Sequence, residues 1–344
     1  MAIADWRALH GDAFEGKRAL ITGGAGFIGS HLAEALIDLG AEVVVIDDLT
    51  GGDTANFDSY RQRAGDRLRF VEGSILDESA VAGAVAGCAY VFHQAAWGSV
   101  PRSVAMPDKY HAINATGTMN VLQASRSAGV SRVMFAASSS AYGDTPTLPK
   151  VETMPVRARS PYAANKAYGE ALMSAWANSY APGTHEGEPG LDTASLRYFN
   201  IFGPRQNANS AYAAVIAAFA KALLAGERPV IYGDGEQSRD FTFVDNAVHA
   251  NLLAAKHEGP LKGEVHNVAC GQRVTVNELA AAMTRMLGRP ELTPTHLDDR
   301  AGDVKHSLAD LDKTRAALGY EPIVDFEQGL ALTVEWYQSE AAGG

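Results

Sequence analysis

The chain has 344 residues, of which 47% are hydrophobic and 20% are charged, so it falls in the range of globular rather than disordered proteins. Its formal net charge of −11 excludes a general nucleic-acid-binding protein, because phosphate backbones are held by clustered Lys and Arg. The length suffices for one large α/β unit or for two lobes.

The number and spacing of the cysteines and histidines argue against a metal site and against disulfide bonds. Cys88 and Cys270 are too few and too far apart for a disulfide framework or a zinc site. The histidines show no His-x-x-x-His spacing, so we expect no catalytic metal. The first residues lack the apolar stretch of a signal peptide, and no apolar segment approaches the roughly 20 residues that span a bilayer. We therefore expect a cytoplasmic protein with no membrane partner.

The first half of the chain alternates short β-rich segments with helical patterns, which is typical of a parallel sheet with helices on both faces. A helix is predicted over Phe27–Leu39, because its apolar residues form one stripe and the pattern stops at Gly40. The predicted strands are Arg18–Thr22, Glu42–Asp47, Leu68–Glu72, Tyr90–Gln94, Arg132–Ala137 and Ala194–Tyr198.

The last third differs, since a capping box at Thr275 and Glu278 begins a helix that Gly288 and Pro290 end. Further helices are predicted near 310–318 and 325–337. We predict an α/β protein: a Rossmann-type, doubly wound parallel sheet with a smaller C-terminal α/β substrate lobe. The larger domain is expected over residues 1–199, with segments near 240–270 returning to it, and the substrate-binding lobe over 200–344.

A glycine turn joins the first predicted strand to the first predicted helix. The missing side chains of Gly23, Gly26 and Gly29 permit a tight turn and let backbone N–H groups approach a pyrophosphate at the helix N-terminus. Asp47 ends the next strand, where a carboxylate accepts hydrogen bonds from ribose hydroxyls and repels a 2′-phosphate; Asp48 is the competing candidate. The pattern predicts NAD rather than NADP, bound by the domain at residues 1–199.

A second motif carries groups suited to proton transfer. Tyr162 and Lys166 are spaced i, i+4 and so share one face of a helix. Ser138, Ser139 and Ser140 follow a predicted strand, at the end where α/β sheets place their chemistry.

Together these motifs resemble extended short-chain dehydrogenases/reductases of the nucleotide-sugar epimerase and dehydratase group. The resemblance extends over nearly the whole chain. The further motifs that carry it are His93-Gln-Ala-Ala96, Asn114-Ala-Thr-Gly117, Ser138–Gly143, Ser160-Pro-Tyr162, Arg197-Tyr-Phe-Asn200, Arg239-Asp240 and Arg300-Ala-Gly-Asp303.

The resemblance implies that Tyr162 takes the proton of the sugar 4-hydroxyl while hydride moves from C4 to NAD. Lys166 would favour the phenolate and Ser138 would hydrogen-bond the sugar oxygen. Similar 4,6-dehydratases carry an Asp-Glu pair after the Ser or Thr, whereas this chain has Ser139 and Ser140, which favours simple epimerisation. The alternatives are a UDP-hexuronic acid 4-epimerase, another nucleotide-sugar dehydratase or decarboxylase, and a non-catalytic NAD-binding module.

The resemblance also implies a set of cofactor contacts. Ser74 stands where similar proteins often have an Asp that touches adenine. The implied NAD-binding residues are Gly23, Gly26, Phe27, Ile28, Gly29, Asp47, Asp48, Ser74, Ile75, Gln94, Ala95, Ala96, Asn114, Tyr162, Lys166 and Tyr198.

The implied substrate is a UDP-hexose. Within the family the chain is most similar to bacterial UDP-N-acetylglucosamine 4-epimerases, through Gly98–Ser103, Phe202–Gln206, Ala211–Val215 and His306–Asp310. Ser307 leaves volume for an N-acetyl group where epimerases restricted to non-acetylated sugars have a Tyr, and UDP-glucose and UDP-galactose are expected as further substrates. A homodimer through 114–128 and 160–180 is implied. The implied substrate-binding residues are Gly98, Ser99, Ser138, Ser139, Ser140, Tyr162, Asn200, Arg239, Arg300, Asp303 and Ser307.

Overall fold

A seven-stranded parallel sheet lies at the centre of the computed structural model, which describes residues 4–208, 214–298 and 305–343. The sheet order is β11-β6-β5-β4-β1-β2-β3, the doubly wound Rossmann order with one further strand, as the sequence predicts. The strands are β1 Arg18–Thr22, β2 Glu42–Asp47, β3 Leu68–Glu72, β4 Tyr90–His93, β5 Arg132–Ser138, β6 Asp192–Tyr198, β7 Ile201–Phe202, β8 Val230–Tyr232, β9 Ser238–Arg239, β10 Thr242–Phe243, β11 Val265–Val268, β12 Val274–Thr275 and β13 Thr295–Leu297.

The helices cover both faces of the sheet and build the C-terminal lobe. None of the helices in the described ranges is long and apolar enough to cross a bilayer. They are α1 Trp6–His10, α2 Phe27–Asp38, α3 Asp58–Ala64, α4 Glu78–Val85, α5 Val100–Ala105, α6 Pro107–His111, α7 Gly117–Ser127, α8 Pro161–Ser179, α9 Val215–Leu224, α10 Val244–Lys256, α11 Val276–Met286, α12 Asp312–Leu318 and α13 Phe326–Gly343.

Both faces of the sheet are buried. Successive side chains of a strand point to opposite sides of the sheet, so each strand contributes to the core on both sides. In β2, Val43 and Val45 join the core under α2 and α10, whereas Val44 and Ile46 join the core under α4, α7 and α8. Both faces are apolar, so the strands appear in the sequence as continuous hydrophobic runs.

The predicted elements agree closely with the observed ones. β1, β2 and β3 have the predicted bounds, and the other predicted strands differ by one or two residues at an end. The capping box is present in α11, where the Thr275 hydroxyl accepts from the backbone N–H of Glu278 and the Glu278 carboxylate accepts from that of Thr275.

The chain returns to the central sheet more than once after β6. β11 pairs with β6, and α10 packs against α2, within the segment near 240–270 that was expected to return. Leu311, Leu318 and Tyr320 also lie in the core of the sheet, beyond that segment. A separate apolar core, which includes Phe202, Phe219, Leu279 and Leu330, holds the C-terminal lobe. A domain boundary at residue 199 stays a prediction.

Candidate active site

A cleft of about 900 Å³ lies at the carboxyl ends of the parallel strands. Residues that follow β1, β2, β3, β4, β5 and β6 line it, and the C-terminal lobe closes it with Arg239 and Ser307. Ligands of doubly wound sheets bind at this edge, so the topology itself brings the predicted site residues together.

The glycine turn fits a dinucleotide on steric grounds. Gly23 has φ +69°, and a Cβ there would lie 2.7 Å from the Ala95 backbone. A Cβ on Gly29 would lie 2.2 Å from the Gly23 carbonyl oxygen. Gly26 is the N-cap of α2 and provides no side-chain cap, so the first N–H groups of the helix are left for a pyrophosphate. Side chains at these places would fill the cradle.

Asp47 both lines the cleft and holds the turn. Its carboxylate accepts hydrogen bonds from the backbone N–H of Ala25 at 3.0 Å and of Leu49 at 2.9 Å. Burial raises the pKa of Asp47, and the backbone donors oppose that rise. A carboxylate has further lone pairs, so ribose hydroxyls can still be bound. Asp48 is exposed, lines the same part of the cleft and accepts from Thr50 N–H at 3.0 Å.

Most of the other predicted NAD-binding residues line the cleft, including Phe27, Ile28, Ile75, Gln94, Ala95, Ala96 and Tyr198. Ser74 and Asn114 do not. The Ser74 hydroxyl accepts from the backbone N–H of Leu76 at 3.3 Å, while Gly73 and Ile75 face the cleft. The buried carboxamide of Asn114 makes two hydrogen bonds to the backbone of Trp97, so it shapes the cleft wall from behind.

The catalytic candidates converge in the middle of the cleft. Ser160 caps α8 through Ala163 N–H at 3.1 Å and Pro161 fills its first turn, which explains the Ser-Pro-Tyr motif. Tyr162 and Lys166 then lie one turn apart on α8, and both line the cleft together with Ser138 at the end of β5.

Hydrogen bonds orient these groups. The Ser138 oxygen accepts from the Ser140 hydroxyl at 2.9 Å and from its backbone N–H at 3.2 Å, so the Ser138 hydroxyl hydrogen is available to Tyr162 or to a sugar oxygen. Burial raises the pKa of Tyr162, and the hydrogen bond with Ser138 opposes this rise. Burial lowers the pKa of Lys166 to about 8, and its ammonium donates to the Ala136 carbonyl at 2.6 Å.

A buried ion pair fixes α8 against the sheet behind the catalytic groups. Glu170, one turn after Lys166, accepts two hydrogen bonds of 2.7 Å from Arg197 on β6. The Arg197 guanidinium lies 4.5 Å from the ring centre of Tyr142. Bidentate pairs of this type restrict geometry strongly, which keeps Tyr162 and Lys166 in place.

The predicted substrate residues Gly98, Ser99, Ser139, Ser140, Asn200, Arg239 and Ser307 also line the cleft. A Cβ on Gly98 would meet open space, so the missing side chain widens the cleft. Asn200 has φ +36°, a backbone conformation that asparagine tolerates better than most residues. Arg300, Asp303 and most of Ala211–Val215 lie outside the described residues.

Sequence reasoning did not assign several other lining residues. Arg102 and Gln206 lie inside quoted motifs, and Arg102 stacks 5.4 Å from the Trp97 ring centre, so their motif positions could have indicated them. Asn251 does not line the cleft itself; from α10 it donates to the hydroxyl of the lining residue Tyr198 at 2.6 Å, and no local signal marks it. Lys150 also lines the cleft without a sequence signal.

Charge is distributed unevenly along the cleft. Among the described lining residues, the carboxylates are Asp47 and Asp48, which follow β2. The cations lie at the other end, beyond β4, and are Arg102, Lys150, Lys166 and Arg239. In the same described ranges, no three His, Cys, Asp or Glu residues are grouped as metal ligands would be.

The fold and the cleft are those of a class of dinucleotide-dependent enzymes that group a Ser, a Tyr and a Lys in a Rossmann cleft. Sequence comparison matches residues 19–269 to the model of the NAD dependent epimerase/dehydratase family. The chain belongs to this family, and its cofactor is NAD.

Individual relatives are similar over almost their whole length. A UDP-glucose 4-epimerase of Mycolicibacterium smegmatis is 37% identical, with 94% of this chain and 99% of the relative covered. A UDP-N-acetylglucosamine 4-epimerase from Methanobrevibacter ruminantium, solved with UDP-N-acetylmuramic acid, is 39% identical with a TM-score of 0.87 and covers 95% and 100%. A UDP-glucose 4-epimerase from Thermotoga maritima, solved with UDP-glucose, is 36% identical with a TM-score of 0.85 and covers 94% and 99%.

Proposed function

We propose that this protein is a UDP-hexose 4-epimerase that interconverts UDP-N-acetylglucosamine and UDP-N-acetylgalactosamine, with UDP-glucose and UDP-galactose as further substrates. The observation that carries the proposal is the grouping of Ser138, Tyr162 and Lys166 in the cleft, with serines rather than acids at 139 and 140. This set can move one proton at one hydroxyl, which is all the acid–base chemistry that inversion at C4 through a ketone requires.

Tyr162 is the group that moves the proton. As a phenolate it accepts the proton of the sugar 4-hydroxyl, and as a phenol it returns the proton when the alcohol re-forms. NAD, held by the glycine turn and Asp47, would supply the hydride acceptor and donor for C4, and inversion requires that the ketone present its opposite face when the hydride returns. The Lys166 ammonium, one turn from Tyr162 on α8, would supply positive charge in the same cleft, and the Ser138 hydroxyl would supply a hydrogen bond that stabilises the phenolate or the sugar oxygen.

The cations of the cleft support an anionic substrate. Arg239 lines the end away from the carboxylates Asp47 and Asp48, and a guanidinium binds phosphate oxygens with paired hydrogen bonds. A nucleoside diphosphate there would bring negative charge to the part of the cleft where the described lining residues carry positive charge. The Arg300 and Asp303 contacts with the substrate stay predictions.

Two small residues support an acetylated sugar. Ser307 lines the cleft where a bulky residue would take up volume, and Gly98 leaves the opposite wall open. The Ser307 backbone N–H donates to the Ser238 carbonyl at 3.0 Å, so its segment is tied to the strand that carries Arg239. The position of the small side chain is therefore well defined.

We also propose a cytoplasmic homodimer, as the sequence predicts, formed through the helices over 114–128 and 160–180. Tyr168 on α8 is 44% exposed, and a helix of the partner subunit would cover such a large aromatic side chain.

The test is incubation of the purified protein with a panel of UDP-hexoses, followed by separation of the sugar products. The proposal expects 4-epimers of the acetylated sugars and of UDP-glucose. A uronic acid epimer alone would replace it with a UDP-hexuronic acid 4-epimerase. A 4-keto-6-deoxy sugar would indicate a dehydratase, a pentose would indicate a decarboxylase, and no product with bound NAD would indicate a non-catalytic module.

A further inference from the structure

A buried lysine lies beside the two segments that form the sugar end of the cleft. Lys150 is 2% exposed and lines the cleft. Its backbone N–H donates to Leu308 O at 2.8 Å, and its carbonyl accepts from Asp310 N–H at 2.9 Å. These bonds hold Lys150 against the segment that carries Ser307.

Within the described residues, the charge of this lysine has little compensation. Its ammonium donates to the Thr145 carbonyl, in the loop that follows Ser139–Tyr142. No carboxylate of the described residues lies within ion-pair distance of it. Burial lowers the pKa of Lys150, and the negative charge of Asp144 opposes this effect. An ammonium has three donors, so two remain for a further partner.

Burial of a cation without an ion-pair partner costs free energy, and a purely structural position would be filled more favourably by an apolar side chain. The Thr145 carbonyl fixes the ammonium, so little reorganisation is needed when an acceptor arrives. Among the groups that a hexose can carry, the best acceptor for such an ammonium is an oxygen that donates nothing and carries full or partial negative charge, which means a carboxylate or an amide carbonyl. A plain hexose offers only hydroxyls.

We propose that Lys150 is a specificity-determining residue whose ammonium donates to a carbonyl-type oxygen on the hexose of the substrate. Two substituents supply that chemistry, an acetamide group and a carboxylate group. The inference rests on the proposed function, because it assumes that the hexose of a UDP-sugar occupies this end of the cleft. Ser307 leaves space for a substituent on the hexose, whereas Lys150 would bind such a substituent through a polar contact.

The experiment compares Lys150→Met with the wild type. Methionine keeps an unbranched apolar stem and removes the charge. The dissociation constants of UDP, UDP-glucose, UDP-N-acetylglucosamine and UDP-glucuronic acid are measured by titration calorimetry, and kcat/KM is measured wherever turnover occurs. Lys221→Met is the matched control, because Lys221 is exposed on α9 and does not line the cleft.

Lys150→Met should weaken binding of the acetylated sugar, of the uronic sugar or of both by about tenfold more than it weakens binding of UDP-glucose. UDP itself should bind as it does to the wild type. A selective loss for the acetylated sugar identifies the acetamide as the partner, and one for the uronic sugar identifies the carboxylate. Lys150→Arg, which keeps the cation, should retain the preference of the wild type.

Equal losses for all three sugars, or unchanged binding of all three, would overturn the role of Lys150, since a residue that only supports the loop cannot distinguish the sugars. Failure of the wild type to turn over any sugar would overturn the proposed function by itself, because the dissociation constants still report on Lys150. The two failures are therefore distinguishable.

Discussion

At the scale of single residues, the surroundings of a side chain in the cleft decide its protonation state. This applies to Tyr162 and Lys166, beside which Ser138 lies. Burial raises the pKa of Tyr162 and lowers the pKa of Lys166, so both shifts favour the uncharged forms. The hydrogen bond with Ser138 works against this for Tyr162. The positive charge that the cofactor and Lys166 bring to the cleft would shift the balance towards the phenolate.

Replacement of Tyr162 by Phe tests this assignment. The variant deletes only the hydroxyl that moves the proton, so kcat should fall by about 10²–10⁴-fold while the fold and the bound NAD are retained. Turnover and released dinucleotide are the measurements. Tyr168→Phe is the control, because it removes a hydroxyl from the same helix at a residue that does not line the cleft. A Tyr162→Phe protein as active as the wild type would remove Tyr162 from the mechanism.

Replacement of Ser307 by Tyr tests the acetyl-sugar pocket. Overfilling a packed site costs about 1–3 kcal/mol, which corresponds to a loss of roughly tenfold to a hundredfold in kcat/KM for UDP-N-acetylglucosamine. UDP-glucose lacks the acetamide and should lose much less. Both substrates must be measured on both proteins, and equal losses would show only a damaged pocket and return the substrate to an unspecified UDP-hexose.

Sequence reasoning found the residues that belong to motifs and missed those that arrive from elsewhere. Gly23, Asp47 and Tyr162 are marked by their places after a strand or within a helix, which local physics dictates. Lys150 lines the cleft from a loop, and Asn251 on α10 supports the lining residue Tyr198 from behind. Both are placed by tertiary packing, and neither has a sequence spacing that predicts its position. Ser74 and Asn114 have motif positions, yet their side chains bond to nearby backbone.

At the scale of elements, the β1-turn-α2 unit is the predicted cofactor site. The turn is tight because three glycines permit backbone contacts that no side chain would allow. The start of α2 has no side-chain cap, which is a cost that a bound pyrophosphate would offset.

Gly29→Ala should abolish retention of NAD. The new Cβ would lie 2.2 Å from the Gly23 carbonyl oxygen and 2.7 Å from Gly24 Cα, so the turn must open and its N–H groups must move. The measurement is the dinucleotide released on denaturation of each purified protein. Gly83→Ala is the control, since a Cβ on Gly83 in α4 meets nothing within 4 Å. Full occupancy in Gly29→Ala would contradict the assigned role of the turn.

The helix α1 is docked through a buried pair of histidines. His10 Nε2 and His249 Nδ1 lie 3.1 Å apart, between α1 and α10. Burial lowers the pKa of His10 to about 3, with Lys256 and His249 adding to the effect, and burial with Lys256 lowers the pKa of His249 to about 4. Both imidazoles are therefore neutral in the folded protein at pH 5.

These lowered pKa values predict acid sensitivity. The unfolded chain takes up protons below its ordinary histidine pKa of about 6.5, whereas the folded chain does not until about pH 3 to 4, so stability falls as pH decreases between these values. From pH 7 to pH 5 each histidine should cost about 1–2 kcal/mol of unfolding free energy. In urea unfolding, His10→Phe should lose less unfolding free energy between pH 7 and pH 5 than the wild type does. Replacement of the exposed His185 by Phe should leave the loss equal to that of the wild type. Identical pH slopes in all three proteins would refute this reading.

At the scale of the whole molecule, the parallel sheet follows from its sequence pattern, whereas the packing of the segment beyond residue 310 against that sheet does not. Runs such as Val43–Ile46 are apolar on both faces, so they predict strands buried under helices. Leu311 and Tyr320 give no local sign that they pack in the core of that sheet, because their partners are far away in sequence. Long-range packing of this kind depends on the assembled fold.

The central claim is transient oxidation at C4 by a cofactor that stays bound, and one isotope experiment tests it most directly. The purified protein, with no NAD added, is given UDP-N-acetylgalactosamine that carries deuterium at C4, in ordinary water. The account predicts UDP-N-acetylglucosamine that retains the deuterium at C4, because the hydride that leaves is the one that returns. An epimer with hydrogen at C4, or no epimer from protein that contains NAD, would contradict it.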